Sequence, residues 1–311
     1  MPGFTTHYLF GTSCFARMPE STLKSQIARH KHVYSFGEQG PDFFFFYLPS
    51  HLSRAPIGTL MHEENAGRFF RSMLRFAESL PDREDQAIAY SYLAGFLGHY
   101  CLDCACHPYI YSRTGYDPDG VKEKGYLGKH VDMETDIGTL LLKMKKGRLS
   151  SRFRQAGTIR MTHREKQIVA QMLSYSIACA YHRRISYPLM YLALTFLPLG
   201  VHVLHDPSSR KRKAFSAVEK KLLGFEFVSP QIAADRESDE HNVLNLCYEY
   251  WEHPWKKGEW SSASFTDLYE KAGKDYNRIF MAMADFVEQP GEQSWRKAVK
   301  EMGNRSYHSG L

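Results

Sequence analysis

Apolar residues recur at helical spacing along most of this chain. Between Thr59 and Leu80, the residues Leu60, Met61, Phe69, Phe70, Leu74 and Phe76 mark one face, and the pattern stops before Pro81, which predicts a helix. Asp82 through Cys106 predicts a second, longer helix closed by Pro108. Its middle, Ala87 to Leu97, is almost wholly apolar, so this helix belongs at the centre of the fold rather than on its surface. A third helix is predicted from about Gly128 to Lys146, with Leu140, Leu141, Leu142 and Met144 as core candidates. Thr162 with Glu165, and Ser264 with Asp267, are capping pairs that open helices to about His182 and Val287. Ser21 to Arg29 reads as a short capped helix. Tyr187 to Leu204 is apolar but carries Pro188 and Pro198, and reads as a buried core helix in preference to a membrane-facing one. Strand-like alternation is scarce, so the expected class is all-α. No repeat and no domain break are visible, which predicts one helical domain over residues 1–311.

Composition narrows the picture without deciding it. Of the 311 residues 43% are hydrophobic and 24% charged, a globular balance that excludes disorder as the default. The net charge of +6 suits an anionic substrate such as a phosphoester and falls short of what a stable nucleic-acid complex would call for. The start MPGFTTHYLFG lacks a basic region followed by an apolar core, so a cytoplasmic protein is expected, with secretion left open if the N-terminus is processed. Cys14, Cys101, Cys104, Cys106, Cys179 and Cys247 form no spaced framework and are expected to be reduced. The basic stretches Ser208–Lys213 and Arg29–His32 read as solvated surface, the former as an exposed loop or helix lead-in.

The chemistry concentrates on the central helix. His99, Asp103 and His107 stand at i, i+4 and i+8 and span roughly 80° of one face at 100° per residue. Three metal-competent side chains on an otherwise apolar helix would be costly to bury without a partner or a cation, which points to metal. His130 and Glu134 repeat the i, i+4 spacing, a weak signal alone that gains weight from its nearness to the first. His7, Asp42 and His62 are unremarkable singly. Cys106 lies near the metal-facing stripe, but a small buried hydrophobe is the preferred reading. Phe43 to Tyr47 reads as core packing, with an apolar pocket wall as the alternative. Glu63 and Glu64 read as exposed helix carboxylates, and Trp251, His253, Trp255 and Trp260 as packing around a connection.

Taken in order, His7, Asp42, His62, His99-xxx-Asp103, His107 and His130-xxx-Glu134 resemble the ligand pattern of the bacterial zinc-dependent phospholipase C family and of its relatives, the single-strand-specific zinc nucleases. The resemblance covers residues 1 to about 140. It implies two or three Zn²⁺ ions. Asp42, His62, His99 and Asp103 would hold the first, and Asp103 would bridge to a second shared with His7 and the N-terminal amine and carbonyl. His107, His130 and Glu134 would hold the third. Secreted members carry a mature N-terminal Trp, whereas this chain starts Met-Pro; removal of Met1 would give the terminal role to Pro2. His107 also follows Asp103 by four residues where secreted members use about six, so it must come from the same helix or its final turn. The activity implied is hydrolysis of a phosphodiester by a metal-activated water, with Asp42 doubling as the base. The substrate would be a phospholipid head group or a nucleotide, with peripheral membrane contact compatible with the first. A single-strand nuclease or 3′-nucleotidase, and a zinc-binding interaction protein without catalysis, are the rival readings.

Overall fold

The computed structural model describes residues 3–46, 56–120, 126–208, 210–226 and 228–311. The chain begins with α1 (Phe4–Arg17), α2 (Thr22–Arg29) and α3 (Lys31–Gly37), followed by a 3-10 segment, Gly40–Phe46. Next come α4 (Ile57–Glu63), α5 (Ala66–Ser79), α6 (Arg83–Arg113) and α7 (Tyr126–Lys146). After α8 (His163–Tyr181), α9 (Tyr187–Leu204) and α10 (Arg210–Leu223), a small antiparallel pair, β1 (Trp251–Glu252) and β2 (Trp260–Ser261), precedes α11 (Phe265–Glu288) and α12 (Glu292–Met302). The fold is all-α; that pair holds the only strands among the described residues.

The architecture follows from α6. Every residue from Ala87 to Ile110 is buried, so the helix has no solvent face to present and must be surrounded. α1, α2, α3, α5, α7, α8 and α11 all pack against it. Asp82 caps its start by accepting from the Glu84 and Asp85 backbone N–H groups. The crossing with α3 is unusually close. A Cβ on Gly95 would lie 2.1 Å from the Tyr34 carbonyl oxygen, and one on Gly37 would lie 2.4 Å from that of Tyr92. Only glycine lets two backbones approach so near.

Several expectations need correcting. The helix predicted over Thr59–Leu80 is two helices, because Asn65 adopts a left-handed conformation (φ 61°) after an extended Glu64 and turns the chain between α4 and α5. Pro108 does not close α6, which runs on to Arg113. A proline removes one helical hydrogen bond, here the one to the Cys104 carbonyl, and the Gly310 backbone lies against that oxygen. The capped helices at Ser21, Thr162 and Ser264 form as predicted, the last two with reciprocal capping boxes. Ser208–Lys213 leads into a helix, α10. α9 forms over the predicted residues but is not a buried core helix: only Met190, Ala193, Leu194, Leu197 and Val201 face inward.

Gly95→Val should cost about 2–3 kcal/mol or prevent folding, because the new side chain overpacks against backbone. Gly157→Ala meets nothing within 4 Å and should stay within about 0.5 kcal/mol of the parent. Thermal and denaturant midpoints of the two variants check this.

Candidate metal centre

Five elements deliver the candidate ligands. α1 supplies His7, the 3-10 segment Asp42, and α4 His62; α6 supplies His99, Asp103 and His107, and α7 supplies His130 and Glu134. All eight are buried. Gly40, at φ 49°, lets the 3-10 segment lie flat on His99, since a Cβ there would fall 2.2 Å from the imidazole. Pro2 lies outside the described residues.

The donors gather in three groups, the first two sharing His99: Asp42 with His62 and His99; His7 with His99 and Asp103; and His107 with His130 and Glu134. Within each group the donor atoms lie within 4.8 Å of one another. Asp103 joins the first two. Its Oδ2 is 3.0 Å from His99 Nε2 and 3.7 Å from His62 Nε2, while Oδ1 is 3.3 Å from His7 Nε2. His62 Nε2 stands 3.2 Å from Asp42 Oδ1. In the third group His130 Nε2 is 2.9 Å and His107 Nε2 3.6 Å from Glu134 Oε1. His107 is one turn beyond Asp103 on the same helix, the place the four-residue spacing required, and the helix reaches it because α6 passes through Pro108.

The other ring nitrogens decide what these atoms can do. His99 Nδ1 donates to the Glu38 carbonyl at 3.2 Å, His62 Nδ1 to Gly58 at 2.7 Å and His107 Nδ1 to Tyr307 at 2.8 Å. His130 Nδ1 pairs with the Tyr126 hydroxyl. A neutral imidazole that donates through Nδ1 presents a lone pair at Nε2. Lone pairs therefore face carboxylate oxygens, acceptor against acceptor, where water is excluded. His7, His62, His99 and His107 Nε2, Asp42 Oδ1 and both Asp103 oxygens have no hydrogen-bond partner. Buried polar atoms are costly in that condition. A cation between them removes the conflict, and neutral imidazole with carboxylate is a donor set that suits Zn²⁺. The residues fit the metal.

Burial sets the protonation. It pushes His7 and His130 down to about 4 in pKa, so both are neutral ligands near pH 7. Burial opposes charge on His99 too, but Asp103 and Asp42 overcome it and raise its pKa. Asp103 is held well below the ordinary carboxylate range: burial resists, and His107 and His99 prevail.

Other side chains wall the centre. Phe43 and Phe44 are buried in the core, while Phe45 places its ring 5.8 Å from His62; Tyr47 lies outside the described residues. Glu63 and Glu64 are exposed. Cys106 is fully buried and in none of the three donor groups, and burial pushes its thiol far up, so it packs as a hydrophobe. His30 turns inward to Glu165 at 2.9 Å. Trp255, on the connection between β1 and β2, meets Tyr111 edge-on, and Tyr111 in turn lies 4.7 Å from His130.

Sequence reasoning missed the distal segment after α12. His308 stacks on His62 at 5.6 Å and lies 5.9 Å from His107 and 5.5 Å from Tyr111, so it stands where the first and third groups meet. Burial, then His62 and His107, hold its pKa at about 2. A lone histidine so far from the others in sequence carries no spacing signal.

A family model described as zinc dependent phospholipase C matches residues 6–179, more than half of the chain. The chain belongs to that family. The match takes in every candidate ligand from His7 to Glu134 and extends past the ligand-bearing helices through most of α8. Membership in a zinc-dependent hydrolase family accounts for a donor set that the fold alone would leave in conflict. No curated protein and no solved structure matches the chain.

For the metal-free protein, stability should fall as pH drops from about 6.5 to 4. His7 and His130 have folded pKa values below their unfolded value of 6.5, so the unfolded chain binds more protons across that window and acid favours it. His99, raised in the fold, works in the opposite direction, but its contribution is already complete below the unfolded value and changes mainly above this window. Thermal midpoints of chelator-treated protein at pH 7.5, 6, 5 and 4 measure the slope; a flat or rising profile toward acid would refute it.

Proposed function

We propose that this chain is a phospholipase C-like phosphodiesterase that holds two or three zinc ions. The observation that supports it most directly is the Asp103 carboxylate, which offers one oxygen to His62 and His99 and the other to His7. That division suits a ligand bridging two ions. Asp42, His62, His99 and Asp103 would hold the first ion, Asp103 and His7 the second with an N-terminal Pro2, and His107, His130 and Glu134 the third. Zinc, when bound, supplies Lewis acidity that activates water and neutralises phosphoryl oxygens.

The chain's own residues do the rest. Asp42, whose Oδ1 stands beside His62, would take the proton of the attacking water. The carbonyls of Gly58, Glu38 and Tyr307 hold His62, His99 and His107 in the ligating tautomer, so no rearrangement accompanies binding. Phe45 and His308 pack against the His62 ring and Tyr111 against His308, where they would keep bulk water from a bound phosphodiester. A phospholipid head group is the substrate class that family membership favours. The Tyr111–Tyr116–Trp255 group near His130 could stack a base and is the feature that keeps the nuclease reading in the test.

Protein purified without added metal should contain two to three zinc equivalents by mass spectrometry; less than one would defeat the proposal. It should release phosphorylcholine from a choline phospholipid in mixed micelles faster than it cleaves a short single-stranded DNA. The reverse order would favour the nuclease, and zinc without turnover on either would favour an interaction protein. Asp42→Asn should lower the hydrolysis rate by about 10²–10⁴-fold.

A further inference from the structure

α9 buries one face against α8 and against the 3-10 segment that carries Asp42. Its opposite face is also apolar. Leu189, Leu192, Leu199 and Val203 are 44–56% exposed, and with half-buried Phe196 between them they follow a 3-4-3-4 spacing along one stripe. A surface helix of a water-soluble fold normally turns charged residues outward, and α9 has no Asp, Glu, Lys or Arg at all. The following helix repeats the arrangement. Phe215, Val218 and Leu222 of α10 are exposed at the same 3-4 spacing. Lys211 ties the two helices together by donating to the carbonyls of Val203 and His205.

Exposed charge within this stretch of chain has one sign, although from neighbouring segments Glu226 stands 3.4 Å from Lys220 and Asp132 pairs with Arg212. Between His182 and Gly224 the only acids are Asp206 and Glu219, and both are buried. Asp206 accepts from the backbone of Ser208 and Arg212, and Glu219 from that of Val228 and Ser229. The exposed charges are Arg183 and Arg184 before α9, and Arg210, Lys213, Lys220 and Lys221 after it. An 18-residue apolar helix, about 27 Å long, thus lies between basic residues at both ends. A second copy of the chain would bring the same positive charges against themselves. An anionic lipid surface supplies both the apolar layer and the opposite charge.

We propose that the exposed faces of α9 and α10 form a docking surface for anionic membranes. The helix lies flat, its inner face still packed on α8 and its outer leucines in the acyl layer. Arg183, Arg184, Arg210 and Lys213 reach the lipid phosphates. α9 is long and apolar enough to cross a membrane by length and composition, but its inner face is committed to the fold. Docking stands apart from the metal centre, so it holds or fails whether or not the zinc reading does.

The test is co-sedimentation of the zinc-loaded full chain with vesicles of phosphatidylcholine alone or with one-quarter phosphatidylglycerol. Wild type should sediment with the anionic vesicles, and raising the salt from 0.1 to 1 M should weaken binding as charge is screened. Leu192→Lys combined with Leu199→Lys should reduce partitioning at least about tenfold. Arg183→Glu with Arg184→Glu, outside any helix, should do likewise on the anionic vesicles alone. Both variants should keep the parent's zinc content and thermal midpoint. Wild type left in the supernatant, or variants that bind equally, would overturn the proposal. So would a wild-type dimer that the leucine variant makes monomeric, which marks a protein interface, or resistance to alkaline carbonate, which marks a spanning helix.

Discussion

Lone pairs converging without protons between them are the constraint around which this fold is built. His62, His99 and His107 each give their one ring proton to a backbone carbonyl, and each then turns a lone pair toward a carboxylate in a space from which water is excluded. Without a cation that arrangement is repulsive; with one the repulsion is relieved. The remaining architecture can be understood as what is needed to hold five elements at that junction. α6 provides three of the ligands and is enclosed on every side. The glycine-lined crossing with α3 brings the Glu38 carbonyl within reach of His99.

The junction also couples parts of the chain that are distant in sequence. His7 comes from the first helix, and the carbonyl that orients His107 belongs to Tyr307. Tyr307 itself donates its backbone N–H to the His62 carbonyl. Metal affinity and folding stability are therefore not separable quantities here, because the ligands are set by the same contacts that close the fold. The exposed stripes of α9 and α10 lie on the outside of this frame and contribute little to it, which leaves their apolar side chains free for another purpose.

Much of the centre was legible in the sequence because helical spacing is a strict ruler. His99, Asp103 and His107 share a face by arithmetic, and His130 with Glu134 does so too. The class was equally plain, since capping pairs and apolar periodicity recur and alternation does not. What escaped was of a different kind. The break at Asn65 depends on one residue taking a left-handed turn that asparagine permits but does not demand. The passage of α6 through Pro108 depends on surrounding packing that no local rule contains. The outward face of α9 was unreadable because an all-apolar helix looks the same whether its second face meets protein or lipid. His308 and Tyr307 are joined to the centre purely by tertiary folding, and they lie beyond the family match, which ends at residue 179.

The bond between His107 and the Tyr307 carbonyl has a bearing on when this ligand takes its orientation. The two residues are 200 positions apart. During synthesis His107, His130 and Glu134 leave the ribosome long before the segment that orients His107 exists. Until then the imidazole is free to present either nitrogen, and His62 lacks its Tyr307 donor as well. The orientation of His107 is thus fixed only once a segment 200 positions further on has been made and packed. A ligand set that is local in spacing is in this way oriented by a contact of very long range, and its geometry is a property of the folded tertiary structure rather than of the helix that carries it.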